Sequence, residues 1–408
     1  MNITRFIKIY VLYAIAAPAI AFGTQAQESV IPTPTPALNA GYSFSDGLAK
    51  VKVNGKYGFM NKEGILQIPC IYEYVSDFEN GYAVVRKDEG YGIIRKNGIV
   101  VTQKTYEYLE NFSSNKALFK SGGKFGYIDL AGKEVIPAKF EFAMSFDGDY
   151  AVFKKNGLSG FINTKGTVVI PAKYDFALNF TEEMAPVMSN GKWGYIDVEG
   201  NVVVDFQYDF VSNFKEERAT TRLNGKTLVI DKTGKELNQE QYDNISEYID
   251  GNALFVKNGK FGILDKDGKA ITFGYDQIKM KGDGYFAFSR NSFWGFMDDK
   301  GKELVAPIYD SVEDFSEGFA LVNKGGKFGF INTKGNVVIP TVYDNGSSFS
   351  DGMAAVSQQG EFLFLDNLGQ EKLALSVDSS SSAERVILVV NQKQMLLNEG
   401  KLIMASTK

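Results

Sequence analysis

The chain has 408 residues, 44% hydrophobic and 23% charged, with a formal net charge of −5 and no basic block, so nothing electrostatic draws it to nucleic acid or an anionic membrane surface. It contains no histidine, which removes the commonest general base and the commonest metal ligand together. Its 42 Gly, 32 Phe and 21 Tyr favour turns and strands.

Residues 1–26 read as an export signal. Arg5 and Lys8 are followed by an apolar run over residues 9–22, and Thr24-Gln25-Ala26 offers a small-residue cleavage site. An uncleaved membrane anchor is the competing reading, disfavoured because the run is shorter than the roughly 20 residues of a spanning helix, and no membrane span is expected after cleavage. The expected destination is the periplasm, the cell surface or the medium. Residues 27–43 are read as an extended tether, because Ile31-Pro32-Thr33-Pro34-Thr35-Pro36 alternates proline with other residues.

Residues 44–373 repeat. Gly58, Gly92, Gly126, Gly160, Gly194, Leu228, Gly262, Gly295, Gly329 and Leu363 recur with a period of 34, broken by a single 33. Alanines recur twenty-five residues after these anchors, Ala253, Ala287 and Ala320 among them, so the short spacing is placed in the turn between Ala287 and Gly295. Helical repeats of the same period are excluded by the glycines and β-branched runs and by the lack of a 3.6-residue stripe.

The third unit shows the internal logic. Residues 117–120, 125–129 and 134–137 read as strands, separated by Gly122-Gly123 and by Asp129 to Gly132. Asn-Gly recurs at the first turn, as at Asn190-Gly191, and Asx-x-x-Gly at the second, as at Asn163 to Gly166. Pro69, Pro137, Pro171, Pro307 and Pro340 are read as closing the third strand. A two-residue hairpin turn sets Ala49 opposite Met60 and Val51 opposite Gly58, leaving apolar groups on both faces, so the meanders must cover one another. Connectors carry an aromatic-acidic pair, from Tyr72-Glu73 to Tyr343-Asp344, usually followed six residues on by phenylalanine, as at Phe78 and Phe349.

Lys192-Trp193-Gly194-Tyr195-Ile196-Asp197-Val198-Glu199-Gly200, with Val338-Ile339-Pro340 and Phe349-Ser350-Asp351-Gly352-Met353-Ala354, resembles the WG-repeat family of bacterial proteins. The resemblance implies a non-catalytic repeat module and supplies no site. Ser159, Thr227-Leu228 and Phe362-Leu363 depart from its motif.

Candidate chemistry is sparse. Asp265-Lys266-Asp267-Gly268 and Asp298-Asp299-Lys300-Gly301 look like pieces of calcium loops but lack the closing glutamate. Cys70 has no histidine to activate it, and Glu182-Glu183 and Glu216-Glu217 read as solvated connector acids. No catalytic residue, metal ligand or cofactor site is assigned. The recurrent aromatics Tyr57, Tyr91, Phe125, Trp193, Phe261, Trp294 and Phe328 are the candidates for ligand contact, or else rings packed over a neighbouring unit's glycine.

Residues 374–384 are read as a Ser-rich link, and 385–408 as a short β tail or cap. The expected architecture is all-β: ten three-stranded antiparallel meanders in an open, curved β-solenoid, favoured over propeller-like rings because ten units crowd one ring and no offset strand is left to close it. The expected function is a non-enzymatic, exported scaffold for a protein partner in the cell envelope or outside the cell, with glycan or peptidoglycan binding as the alternative.

Overall fold

The computed structural model describes residues 43–53, 55–238, 240–280, 282–378, 385–390, 393–398 and 401–404. The export signal and nearly all of the tether lie outside the described residues, as does the Ser379–Ser382 part of the link. All regular structure among the described residues is β, and no helix there is long and apolar enough to cross a membrane.

The strands form ten small antiparallel sheets in succession along the chain. In the first, β1 (Phe44–Ser45), β2 (Leu48–Val53), β3 (Lys56–Asn61) and β4 (Leu66–Tyr72) pair in sequence order. The later sheets repeat this plan of one short and three long strands. In the second and sixth the last strand is reduced to isolated bridges, such as Tyr91 with Tyr106 and Ile230 with Glu236.

The hairpin register anticipated from sequence is present: Ala49 faces Met60 and Val51 faces Gly58. At the first turn Asn190 and Gly191 take φ of 53° and 74°, the left-handed pair a tight hairpin needs. At the second, Asp129 accepts the Gly132 amide on its carbonyl at 2.9 Å while its Oδ1 accepts the Ala131 and Lys133 amides at 2.9 and 3.0 Å. Asp265 and Asp298 use their carboxylates in the same way, so these acids are turn caps.

Proline does not close the third long strand. Pro137 lies inside Glu134–Phe140, at a register shift from Tyr127 with Ile136 to Phe125 with Phe140, where Pro137-Ala138-Lys139 bulge opposite Gly126. That bulge explains the glycine. A Cβ on Gly126 would stand 2.6 Å from the Ile136 carbonyl oxygen and 2.7 Å from the Ala138 nitrogen, so the residue is glycine because its own sheet crosses it. The expectation of a neighbour's ring above it is thereby corrected.

The missing residue is also relocated. The Arg290–Phe293 hairpin keeps a two-residue turn, whereas the third long strand of the seventh sheet, Ala270–Tyr275, has six residues and no proline. Phe286, fully buried opposite Met297, takes the place that Ala253 and Ala320 hold opposite Leu264 and Ile331.

Both faces of each sheet are buried, as the sequence required. Leu118, Tyr127 and Ile136 of the third sheet meet Ala143, Phe146, Ala151, Phe153 and Ile162 of the fourth. The Phe140-Glu141 type of connector is not a spacer: two residues later begins the next short strand, Phe142–Ala143.

The array closes on itself, which overturns the open solenoid. Ser45, Ser113 and Ser316 donate to the carbonyls of Phe78, Phe146 and Phe349, thirty-three residues on, at 2.6 to 2.8 Å. Ser350 has no such residue ahead and donates instead to Phe44 of the first sheet at 2.6 Å. The acid clamp is shared too: Asp46 and Glu317 accept the amides of Gly81 and Gly352, and Asp351 accepts that of Gly47 at 2.6 Å. Phe44, Ala49, Val51, Met60 and Cys70 pack with Met353, Ala355, Phe364 and Leu373 in one cluster across the seam. Residues 44–378 are therefore a ring of ten blades, and it closes by side-chain burial between first and last blades without a shared strand.

The last blade continues past the repeat. Its third long strand, Glu371–Asp378, runs into the segment read as a link, and Arg385–Val390, Lys393–Asn398 and Lys401–Met404 extend the same sheet to seven strands. The last of these approaches β4 of the first blade, on the far side of the seam.

Candidate functional site

The seven recurrent aromatics occupy one equivalent place, the second residue of the second long strand. There each lies half-buried at the edge of the cluster between its own blade and the next, as Phe125 does against Leu118, Tyr127 and Phe146. From blade two onward, register gives each a partner on the first long strand and, through it, one on the short strand of the same rung. Tyr91 faces Arg86, which faces Tyr74 on the short strand; Phe125 faces Lys120, which faces Tyr108. Side chains directly opposite one another share a face of the sheet. The rung is the second from the hairpin turn.

From blade to blade the rung changes. In blades two to six it reads Tyr74-Arg86-Tyr91, Tyr108-Lys120-Phe125, Phe142-Lys154-Ser159, Phe176-Met188-Trp193 and Phe210-Arg222-Thr227. Lys52 and Tyr57 begin the series in blade one. In blades seven to ten the short-strand residue is Asn244, Gln277, Ser311 or Asn345, and the middle residue is Val256, Ser289, Asn323 or Ser357. In blades two to six the short-strand residue is aromatic and its partner mostly cationic; in blades seven to ten both are uncharged and mostly polar, while Phe261, Trp294 and Phe328 keep the ring of the second long strand.

The short-strand rings are the exposed ones, 36% to 47% accessible in Tyr74, Tyr108, Phe142, Phe176 and Phe210. They meet the half-buried rings edge-on: Tyr74 with Tyr91, Phe142 with Phe125 and Phe176 with Trp193 lie at 6.2, 5.9 and 6.0 Å, with planes 64° to 69° apart. Cations lie over the faces. Lys52 stands over Tyr57 at 5.1 Å, Arg86 over Tyr91 at 5.8 Å, Lys120 over Phe125 at 5.5 Å and Lys154 over Phe176 at 4.7 Å. Tyr108 donates to Glu110 at 2.7 Å, and burial with that carboxylate raises its phenol well above the ordinary value.

Acids beside the rung have structural partners. Glu107 accepts the Gly122 amide at 2.6 Å, and Asp209 accepts from Asn224 and Lys192. The Lys192 ammonium and the Asn224 amide hold the Asp209 carboxyl below its usual range. Glu182 and Glu216 are interblade clamps: Glu182 accepts the Glu216 and Glu217 amides at 2.6 and 2.8 Å, and Glu216 accepts that of Gly251 at 2.6 Å. Cys70 is buried in the seam cluster.

The exposed short-strand rings were missed from the sequence. Their signal was an aromatic at residues 74, 108, 142, 176 and 210, two places after each connector aromatic. Read as connector, it gave no strand, because two residues show no alternation.

Comparison with known proteins agrees with the repeat. The WG containing repeat model matches at residues 36–57, 57–91, 91–125, 125–158, 160–193, 193–226, 229–261, 294–328 and 328–362. No curated protein matches. Among solved structures, one described as the eukaryotic initiation factor is 10% identical, covering 80% of this chain and 98% of its own, with a TM-score of 0.47. BamB from Moraxella catarrhalis is 11% identical over 66% of this chain and 98% of its own, with a TM-score of 0.32. Likenesses this distant carry no functional argument.

Proposed function

We propose, for a chain that belongs to the WG containing repeat family, that the ring is an exported, non-catalytic scaffold that binds a protein partner in the cell envelope or outside the cell. The observation that supports this reading is the contrast between framework and rung. The turn caps, interblade clamps and buried rings recur around the ring, while the accessible rung changes character between blades six and seven. A repeated framework with a surface that differs along it is the arrangement of a recognition scaffold. Glycan binding has less support, because cations stand over the half-buried Tyr91 and Phe125 and over the exposed Phe176.

The test is crosslinking and affinity capture from an envelope extract with residues 27–408 as bait, alongside cell fractionation. A stoichiometric protein partner supports the scaffold. Retention on peptidoglycan sacculi with no protein captured overturns it in favour of the glycan reading.

A further inference from the structure

We infer that the aromatic-cationic rungs of blades one to six form a docking surface for an extended, acidic segment of the partner protein, one that alternates carboxylates with apolar side chains. This rests on the scaffold reading above.

Charge is the first support. In a chain of net charge −5, the rungs bring Lys52, Arg86, Lys120, Lys154 and Arg222 into equivalent positions and include no acid. Of the acids nearby, Glu107 caps a turn, Asp209 holds a lysine and Glu110 accepts the Tyr108 and Ser145 hydroxyls. Complementarity then calls for a negative partner.

Ring geometry selects the kind of negative partner. A sugar or a nucleobase needs a flat aromatic face to stack upon. Here the half-buried rings receive edge-on neighbours and have cations over them, and Lys154 lies over the exposed Phe176. The rung thus combines edge-on ring contacts with cations. Ring edges carry the positive end of the aromatic quadrupole, so both features suit carboxylates, while the exposed ring bodies between them suit apolar side chains. On blades seven to ten the short-strand residues and their partners are uncharged and non-aromatic, and Lys279, which stands over Trp294 at 5.1 Å in blade eight, lies off that rung.

The experiment uses residues 27–408 and a short fluorescein-labelled peptide alternating Glu with Leu, read by fluorescence anisotropy. Controls are the same peptide with Lys for Glu, polygalacturonate, and oligo-dT. The acidic peptide should bind, weaken with added salt, and lose at least about tenfold in affinity in the Lys120→Glu, Lys154→Glu double variant, as a charge reversal in a complementary interface does. The Asn323→Glu, Ser357→Glu variant on blades nine and ten should bind as the parent does. If the reversal variant melts early, Tyr108→Ser with Phe210→Ser, at exposed rings, replaces it.

Equal binding by both charge variants, absence of peptide binding, or tighter binding of polygalacturonate or oligo-dT overturns the assignment. Capture from the envelope extract, repeated with the Lys120→Glu, Lys154→Glu protein, separates this from the scaffold itself. A partner held equally by parent and variant leaves the scaffold standing and removes the docking surface; no partner with either removes the scaffold.

Discussion

At the scale of single residues, the repeat separates rings that hold blades together from rings that border them. Phe161 is fully buried between blades four and five, whereas Trp193 is half-buried at the edge of its cluster. Phe161→Ala should cost about 3–5 kcal/mol and Trp193→Ala only about 1–2 kcal/mol, in proportion to the area removed from the interior. Parallel denaturant titrations measure both. Titratable groups give a second test. Burial raises the Glu247 carboxyl above its ordinary value, with Lys215 opposing, so folding favours the protonated form. Stability from that form is complete below the ordinary carboxylate range and is lost as pH rises through the raised value. Glu247→Gln should therefore raise the melting temperature near about pH 7 and change little near about pH 3. Asp276 and Asp344 behave oppositely: Lys260 and Lys327 hold them low, so their contribution is present at neutral pH and is lost on acidification.

Among elements, the strand most in need of protection is the third long strand, which ends the sheet in blades one, three, four, five, seven, eight and nine and exposes Val168, Val169, Val202 and Val203. Its register shift, joined in five blades by a mid-strand proline (Pro69, Pro137, Pro171, Pro307 and Pro340), breaks the row of free amides that another chain could pair with. Blade ten solves the problem differently, by adding three strands beyond Glu371–Asp378. Ending the chain after Asp378 should expose a proline-free edge whose register shift lies near its start, between Leu373 and Glu371, and not in mid-strand. Light scattering on the truncated protein should show association that the full chain lacks, and a monodisperse truncated protein would show that the added strands do not serve this purpose. The long strands and both turns were legible in the sequence because glycine and Asx mark them. The short strand was not: its identity depends on the neighbouring strand that it pairs with.

For the molecule as a whole, the seam between blades one and ten is the weak point to test, since it is the one interface joining distant parts of the chain. In the closed ring Ser350→Ala removes the same bond as Ser113→Ala, so each should cost about 0.5–1.5 kcal/mol, and the two should agree. A cost at Ser113 with none at Ser350 is the result expected of an open array. Small-angle scattering on residues 27–408 gives an independent answer, a compact particle for the ring and an elongated one for an open stack.

The sequence by itself determined the all-β class, the 34-residue period, the two turns, the hairpin register and the burial of both sheet faces. Each follows from local rules of backbone conformation and side-chain alternation acting within one unit. Closure was decided only in three dimensions, because it depends on a small rotation between neighbours that accumulates over ten blades until Phe44 stands where a further unit's phenylalanine would. The aromatic-cationic rung was decided there too. Tyr74, Arg86 and Tyr91 are spread over eighteen residues of chain, and only strand pairing sets them side by side.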